Sequence, residues 1–107
     1  MKKPKKDEIN GSHLQGNFKK PYLELIKILG KPDYDYRRSD ELTDNKISVE
    51  WEFKFSDGTD DIMATIYNWK DGINYDDQDG VEVEKLTNWH IGGHSKKAVE
   101  KVLQLVN

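Results

Sequence analysis

Residues 47–55 alternate strictly between apolar and polar, and no other stretch restricts the fold as tightly. Ile47, Val49, Trp51, Phe53 and Phe55 fall on one side of an extended backbone, and Ser48, Glu50, Glu52 and Lys54 fall on the other. Successive side chains of a strand point to opposite faces, so the pattern predicts a sheet buried on one face. Residues 56–61 (SDGTDD) are turn chemistry around Asp57-Gly58, and residues 62–69 pair back as the second arm of a hairpin.

A sheet buried on one face needs a covering layer, and two segments have helical period. Tyr22, Leu25, Ile26 and Leu29 form one stripe, opened by Pro21 and closed by Gly30 and Pro32. Ala98, Val99, Val102, Leu103 and Val106 form the other, with Ser95 as a suitable N-cap. Residues 13–18 read as a short first strand anchored by Leu14 and Phe18. Residues 81–86 read as a further short strand, with Trp89-His90-Ile91 on the same sheet edge until Gly92-Gly93-His94 breaks it. The predicted class is α+β, an antiparallel sheet with two helices on one face, in the order β-α-β-β-β-α.

The chain has 107 residues, enough for one domain. Residues 1–11 are lysine-rich without apolar periodicity and read as a disordered basic tail, leaving residues 12–107 as the domain. Net charge is −3 even with Lys2, Lys3, Lys5 and Lys6 in that tail, so the remainder is more acidic still. Nothing here is the basic face of a nucleic-acid binder. The chain lacks cysteine, which excludes disulfides and thiolate chemistry, and no apolar run approaches a membrane span. Cytoplasmic location is the default expectation.

No residue pattern carries catalysis. His90 and His94 are four apart, but Gly92-Gly93 between them argues against the helix that would aim both at one metal. The acidic run Asp76-Asp77-Gln78-Asp79-Gly80 resembles a calcium loop until its end positions are checked: with Gly80 as the loop glycine they are Tyr75 and Leu86, which cannot ligate. Glu50 and Glu52 read as solubilising charge on the polar strand face. No cofactor and no metal are expected.

Two surfaces remain as candidates for binding. Gly92-Gly93-His94-Ser95 leads into a helix N-terminus, where free N–H groups can hold an anion. Trp89, His90, Lys96 and Lys97 are nearby in sequence and would supply stacking and charge, and Trp69, which ends its strand beside the acidic loop, is a further stacking candidate. The alternative there is a tight turn that needs glycine. Acidic loops at 33–44, 57–61 and 71–79 offer carboxylates to a basic partner, with Asp71, Asp76, Asp77 and Asp79 as the contacts.

Three segments together carry a resemblance: Ser12-His13-Leu14-Gln15-Gly16, Ala64-Thr65-Ile66-Tyr67-Asn68-Trp69-Lys70 and Trp89-His90-Ile91-Gly92-Gly93. They resemble the "LQG", "ATIYDWK" and "WHIGG" segments of a family of small accessory proteins of tailed phages and large DNA viruses. The likeness covers about residues 12–103. It departs at Asn68, where the pattern has aspartate, and at residues 60–63, which look inserted. The resemblance brings no catalytic residues. It implies a protein acting inside an infected cell, and the leading expectation is a non-enzymatic counter-defence inhibitor of a host defence protein. The first alternative is a sponge for a nucleotide signal at the Gly92-Gly93 turn. A metal-dependent hydrolase is the second. A homodimer is compatible with each of these readings, and no membrane or direct nucleic-acid contact is expected.

Overall fold

The computed structural model describes residues 2–39, 45–56, 58 and 61–107. The chain runs α1 (Lys6–Ile9), β1 (His13–Lys19), α2 (Tyr22–Leu29), β2 (Tyr34–Asp35), β3 (Val49–Ser56), β4 (Asp61–Tyr67), a 3-10 turn (Val83–Lys85), β5 (Asn88–Gly93) and α3 (Lys97–Val106). The strands form one sheet in the order β1-β5-β4-β3-β2 with every neighbour antiparallel. This is the predicted α+β class.

The alternation in β3 acts as read. Val49, Trp51 and Phe53 are buried, and Trp51 pairs with Ile66, which pairs with Ile91. This apolar face meets Leu25 and Tyr22 of α2 and Ala98, Val102 and Val106 of α3. At its centre Trp51 and Trp89 meet edge to face at 5.5 Å, with Tyr22 against both at 6.0 and 6.4 Å. Each indole N–H is used: Trp51 donates to the Gly30 carbonyl at 2.9 Å and Trp89 to the Lys20 carbonyl at 2.7 Å. Buried tryptophans need such partners, and these two bonds fix both ends of α2 against the sheet.

Several local expectations differ from the structure. The segment 81–86 is a 3-10 turn, because Val83 and Leu86 are both buried and a strand would turn residues three apart to opposite faces. Leu14 is not a core anchor. It is 55% exposed, because the β1–β5 register slips between Leu14 and Gly16 and turns Leu14 off the core face. The basic tail lies against the domain. Lys2 makes an antiparallel bridge to Lys54, Lys3 pairs with Asp33 at 2.9 Å, and Glu8 of α1 pairs with Lys54 at 2.6 Å. Lys2 thus extends the free edge of β3 through the Lys54 backbone, and α1 meets the Lys54 side chain on the face opposite Trp51.

The short β2 is held by charge. Arg37 donates from Nε and Nη2 to the two oxygens of Asp35 at 3.0 and 2.8 Å, and from Nη1 to Glu84 at 2.5 Å. Burial alone raises the pKa of Asp35, but the bonds from the Arg37 side chain and backbone outweigh it and leave the carboxyl below its usual range. The hairpin register is Phe55 opposite Ile62 and Ser56 opposite Asp61; residues 57, 59 and 60 of the turn lie outside the described residues.

Candidate functional site

The candidate face is the side of the sheet that α2 and α3 leave uncovered. Antiparallel register sets Glu50 opposite Tyr67, Tyr67 opposite His90 and His90 opposite Asn17. Residues directly opposite share a face, so Glu50, Tyr67, His90 and Asn17 form one row across the bare side. Tyr34 extends the row through its pairing with Glu50. The rings of Tyr67 and His90 lie 5.5 Å apart, and Trp69 meets Tyr67 edge to face at 6.2 Å.

Glu50 is the unusual member. No hydrogen bond or ion pair among the described residues reaches its carboxylate. Burial, and then the charges of Glu52 and Asp33, push its pKa up to about 7. Burial and the neighbouring Glu50 also raise Tyr67. Sequence reading passed over Glu50 because alternation shows which face a residue takes but not whether its neighbours screen it from water. The cross-strand pairing that sets Glu50 beside Tyr67 needs the hairpin register.

Where β4 ends, Asn68 organises the next loop. It is fully buried, and its Oδ1 accepts from the backbone N–H of Ser48 at 2.8 Å and of Val49 at 3.1 Å. Its Nδ2 donates to Ser48 Oγ and to Asp71 Oδ1, both at 2.9 Å. Ser48 Oγ in turn donates to Asn74 Oδ1 at 2.5 Å, while Asn74 Nδ2 reaches the carbonyls of Asn45 and Ile47. Asparagine suits this position because it needs both a donor and an acceptor head.

That network fixes the acidic loop at 71–80. Gly72 forms a bridge to Val81, and a Cβ on Gly72 would lie 1.9 Å from Ser48 Oγ. A Cβ on Gly80 would lie 2.2 Å from the Asp76 carbonyl. The Asp76 carboxylate accepts from the backbone N–H groups of Gln78 and Asp79 at 3.1 Å. Of the four carboxylates expected to meet a partner, Asp71 and Asp76 therefore face inward and shape the loop. Asp77 and Asp79 are exposed.

The ligand-binding set expected at the Gly92-Gly93 turn is not assembled. Trp89 is fully buried among the core aromatics, where Ile91 two residues on shares its face. Gly92 and Gly93 are the last residues of β5, flanked by Leu14 and His13 on one side and by Thr65 and Ala64 on the other, so they form ladder and not an open nest. Gly93 is glycine because α3 passes close: a Cβ there would lie 2.5 Å from Ala98 Cβ. His94 Nε2 lies 2.6 Å from the Glu8 carbonyl, and Lys96 Nζ donates to the Gln15 carbonyl. Ser95 is exposed, and its Oγ accepts from the Lys97 N–H at 3.3 Å. Of that set, Trp69 and His90 come together at one hollow on the bare face of the sheet, and Trp89 borders the same hollow while its ring stays in the core.

The hollow measures about 370 Å³, and Asn17, Phe18, Lys19, Asp71 and Asn88 complete its lining. Trp69 is 40% exposed, and the ammonium groups of Lys46 and Lys70 sit over its ring at 5.7 and 5.9 Å. Among the described residues no group of three metal-binding side chains converges, and no helix is long and apolar enough to cross a membrane. No family model, no curated protein and no solved structure matches the chain.

Proposed function

We propose that this protein is a non-enzymatic inhibitor that binds a host defence protein in the cytoplasm of an infected cell, presenting a fixed acidic surface to a basic patch on that partner. The observation that carries this reading is the loop at 71–80, held by Asn68, Ser48 and Asn74 before any partner arrives. A loop already in one conformation loses little entropy on binding, which is where much of the cost of association lies. Residues 71–84 hold Asp71, Asp76, Asp77, Asp79, Glu82 and Glu84 and no lysine or arginine. A field of one sign steers a basic partner and rejects acidic ones. The resemblance to accessory proteins of phages and large DNA viruses supports the setting.

The test is capture of proteins from a host lysate by the wild-type chain and by Asp77→Lys/Asp79→Lys, quantified by mass spectrometry at low and raised salt. Both positions are exposed and make no structural bond through their side chains, so the variant keeps its fold. The wild type retains a basic, nucleic-acid-binding defence protein at low salt. The variant and raised salt both release it, because exposed charges are screened beyond about 10 Å at about 0.1 M salt. Equal retention by both chains at both salts contradicts the proposal.

A further inference from the structure

We infer that the hollow beside Trp69 is a binding site for a free nucleoside phosphate, bordered by Asp71 at the start of the acidic loop and distinct from the exposed carboxylates Asp77 and Asp79. Its volume of about 370 Å³ falls in the range of small-molecule sites, roughly 300–1,000 Å³. The groups around it match the three parts of such a ligand.

The flat part is served by aromatic rings. Trp51 and Trp89 are buried, which leaves Trp69 as the exposed tryptophan, backed edge-on by Tyr67. An exposed indole beside a cavity is a stacking platform that accepts any base, since every base has a π face. The polar edge of a base is served by amides. Lys19 pairs opposite Asn88 and Asn17 opposite His90, so these four residues make one patch on the bare face. The side chains of Asn17 and Asn88 have no partner among the described residues, and each offers a donor and an acceptor. A heterocycle whose edge mixes donors and acceptors is the complement of two such amides.

The charged part decides the class. An aromatic platform with amides also suits a neutral sugar, but a sugar makes no use of cations. Here Lys19 lines the hollow, and the Lys70 ammonium leans over the Trp69 ring at 5.9 Å. Asp71 is the one acid in the lining, and Lys19 and Lys70 together outnumber it. The rim is therefore locally cationic in a chain whose net charge is −3. An aromatic ring bearing phosphate fits all three features.

The experiment titrates the full chain with adenosine and uridine 5′-monophosphates, followed by calorimetry and tryptophan fluorescence. Separate arms use adenosine, inorganic phosphate and a short single-stranded oligonucleotide. A mononucleotide is expected to bind and quench fluorescence, with adenosine and phosphate at least roughly tenfold weaker. Lys19→Ala is a surface change expected to weaken binding at least roughly tenfold with the melting curve unmoved; Trp69→Ala is expected to weaken binding at least as much and to remove the quench, with a lower melting point from the packing lost on Tyr67. Asp77→Lys/Asp79→Lys retains nucleotide binding, so failure here and failure of the inhibitor reading are distinguishable. The inference is overturned by no heat or quench with either mononucleotide at about millimolar concentration. Binding that survives Trp69→Ala, or binding of the oligonucleotide alone, overturns it equally.

Discussion

Asn68 donates its side-chain N–H to Asp71 at 2.9 Å, and this bond joins the buried end of β4 to the acidic loop. The same amide accepts two backbone N–H groups from the start of β3. One fully buried side chain thus sets both the hairpin end and the surface that follows it.

Asn68→Asp tests that role. The carboxylate keeps the acceptor but loses the donor, and it faces the Asp71 carboxylate across the lost bond. Leaving buried partners unsatisfied costs roughly 1–3 kcal/mol, with charge repulsion adding to it. Urea titration at neutral pH is expected to show at least that loss. The loss shrinks as pH falls, because the protonated acid regains a donor. A variant as stable as the wild type at neutral pH would mean that Asn68 does not hold the loop.

Glu50 predicts a pH dependence of opposite sense to ordinary acid denaturation. Its pKa is raised from 4.5 in the unfolded reference to about 7 in the fold. Between these values the folded protein holds more protons than the unfolded one, so the contribution of Glu50 to stability falls as pH rises through that window. Glu50→Gln removes the charged form. It is expected to flatten the slope between about pH 4.5 and 7 and to stabilise the protein at pH 8 by roughly 1–2 kcal/mol, discounted for the water that still reaches the group. Parallel slopes for the two proteins would refute the shift.

Gly93 is a packing residue on this account. Gly93→Ala sets two Cβ atoms about 2.5 Å apart against Ala98 and is expected to cost roughly 1–3 kcal/mol. Adding Ala98→Gly clears the clash and restores part of the loss. If thermal melts show no loss in the single variant, α3 does not press on β5 there.

Trp51 sits at the centre of the core with no exposure. Trp51→Ala is expected to lose roughly 3–5 kcal/mol by urea titration. A loss below about 1 kcal/mol would mean that the apolar face of β3 is not the buried one.

How far the sequence could be read followed from period. Two-residue alternation identified β3 and its buried face, and the 3.6-residue stripes identified α2 and α3, because each pattern maps directly onto a face. The segment 81–86 reads as a strand from sequence because the burial of Val83 and Leu86 depends on a 3-10 turn too short to show as a pattern. Leu14 was misread because a bulge is invisible without the partner strand. The Gly92-Gly93 pair shows the same limit at the site: a glycine pair in sequence is equally consistent with an anion nest and with a close helix crossing, and only Ala98 beside Gly93 separates them. The Glu50–Tyr67–His90 row joins residues from three strands, so no single segment reveals it.

The central claim is that the acidic loop is formed before a partner binds, and amide hydrogen exchange on the free protein measures this directly. The N–H groups of Gly80 and Val81 donate within the loop, to the carbonyls of Asp76 and Asp71, each at 2.8 Å. These amides are expected to exchange far more slowly than in an unstructured peptide and to lose that protection in Asn68→Asp. Exchange of Gly80 and Val81 at free-peptide rates in the wild type would contradict the account.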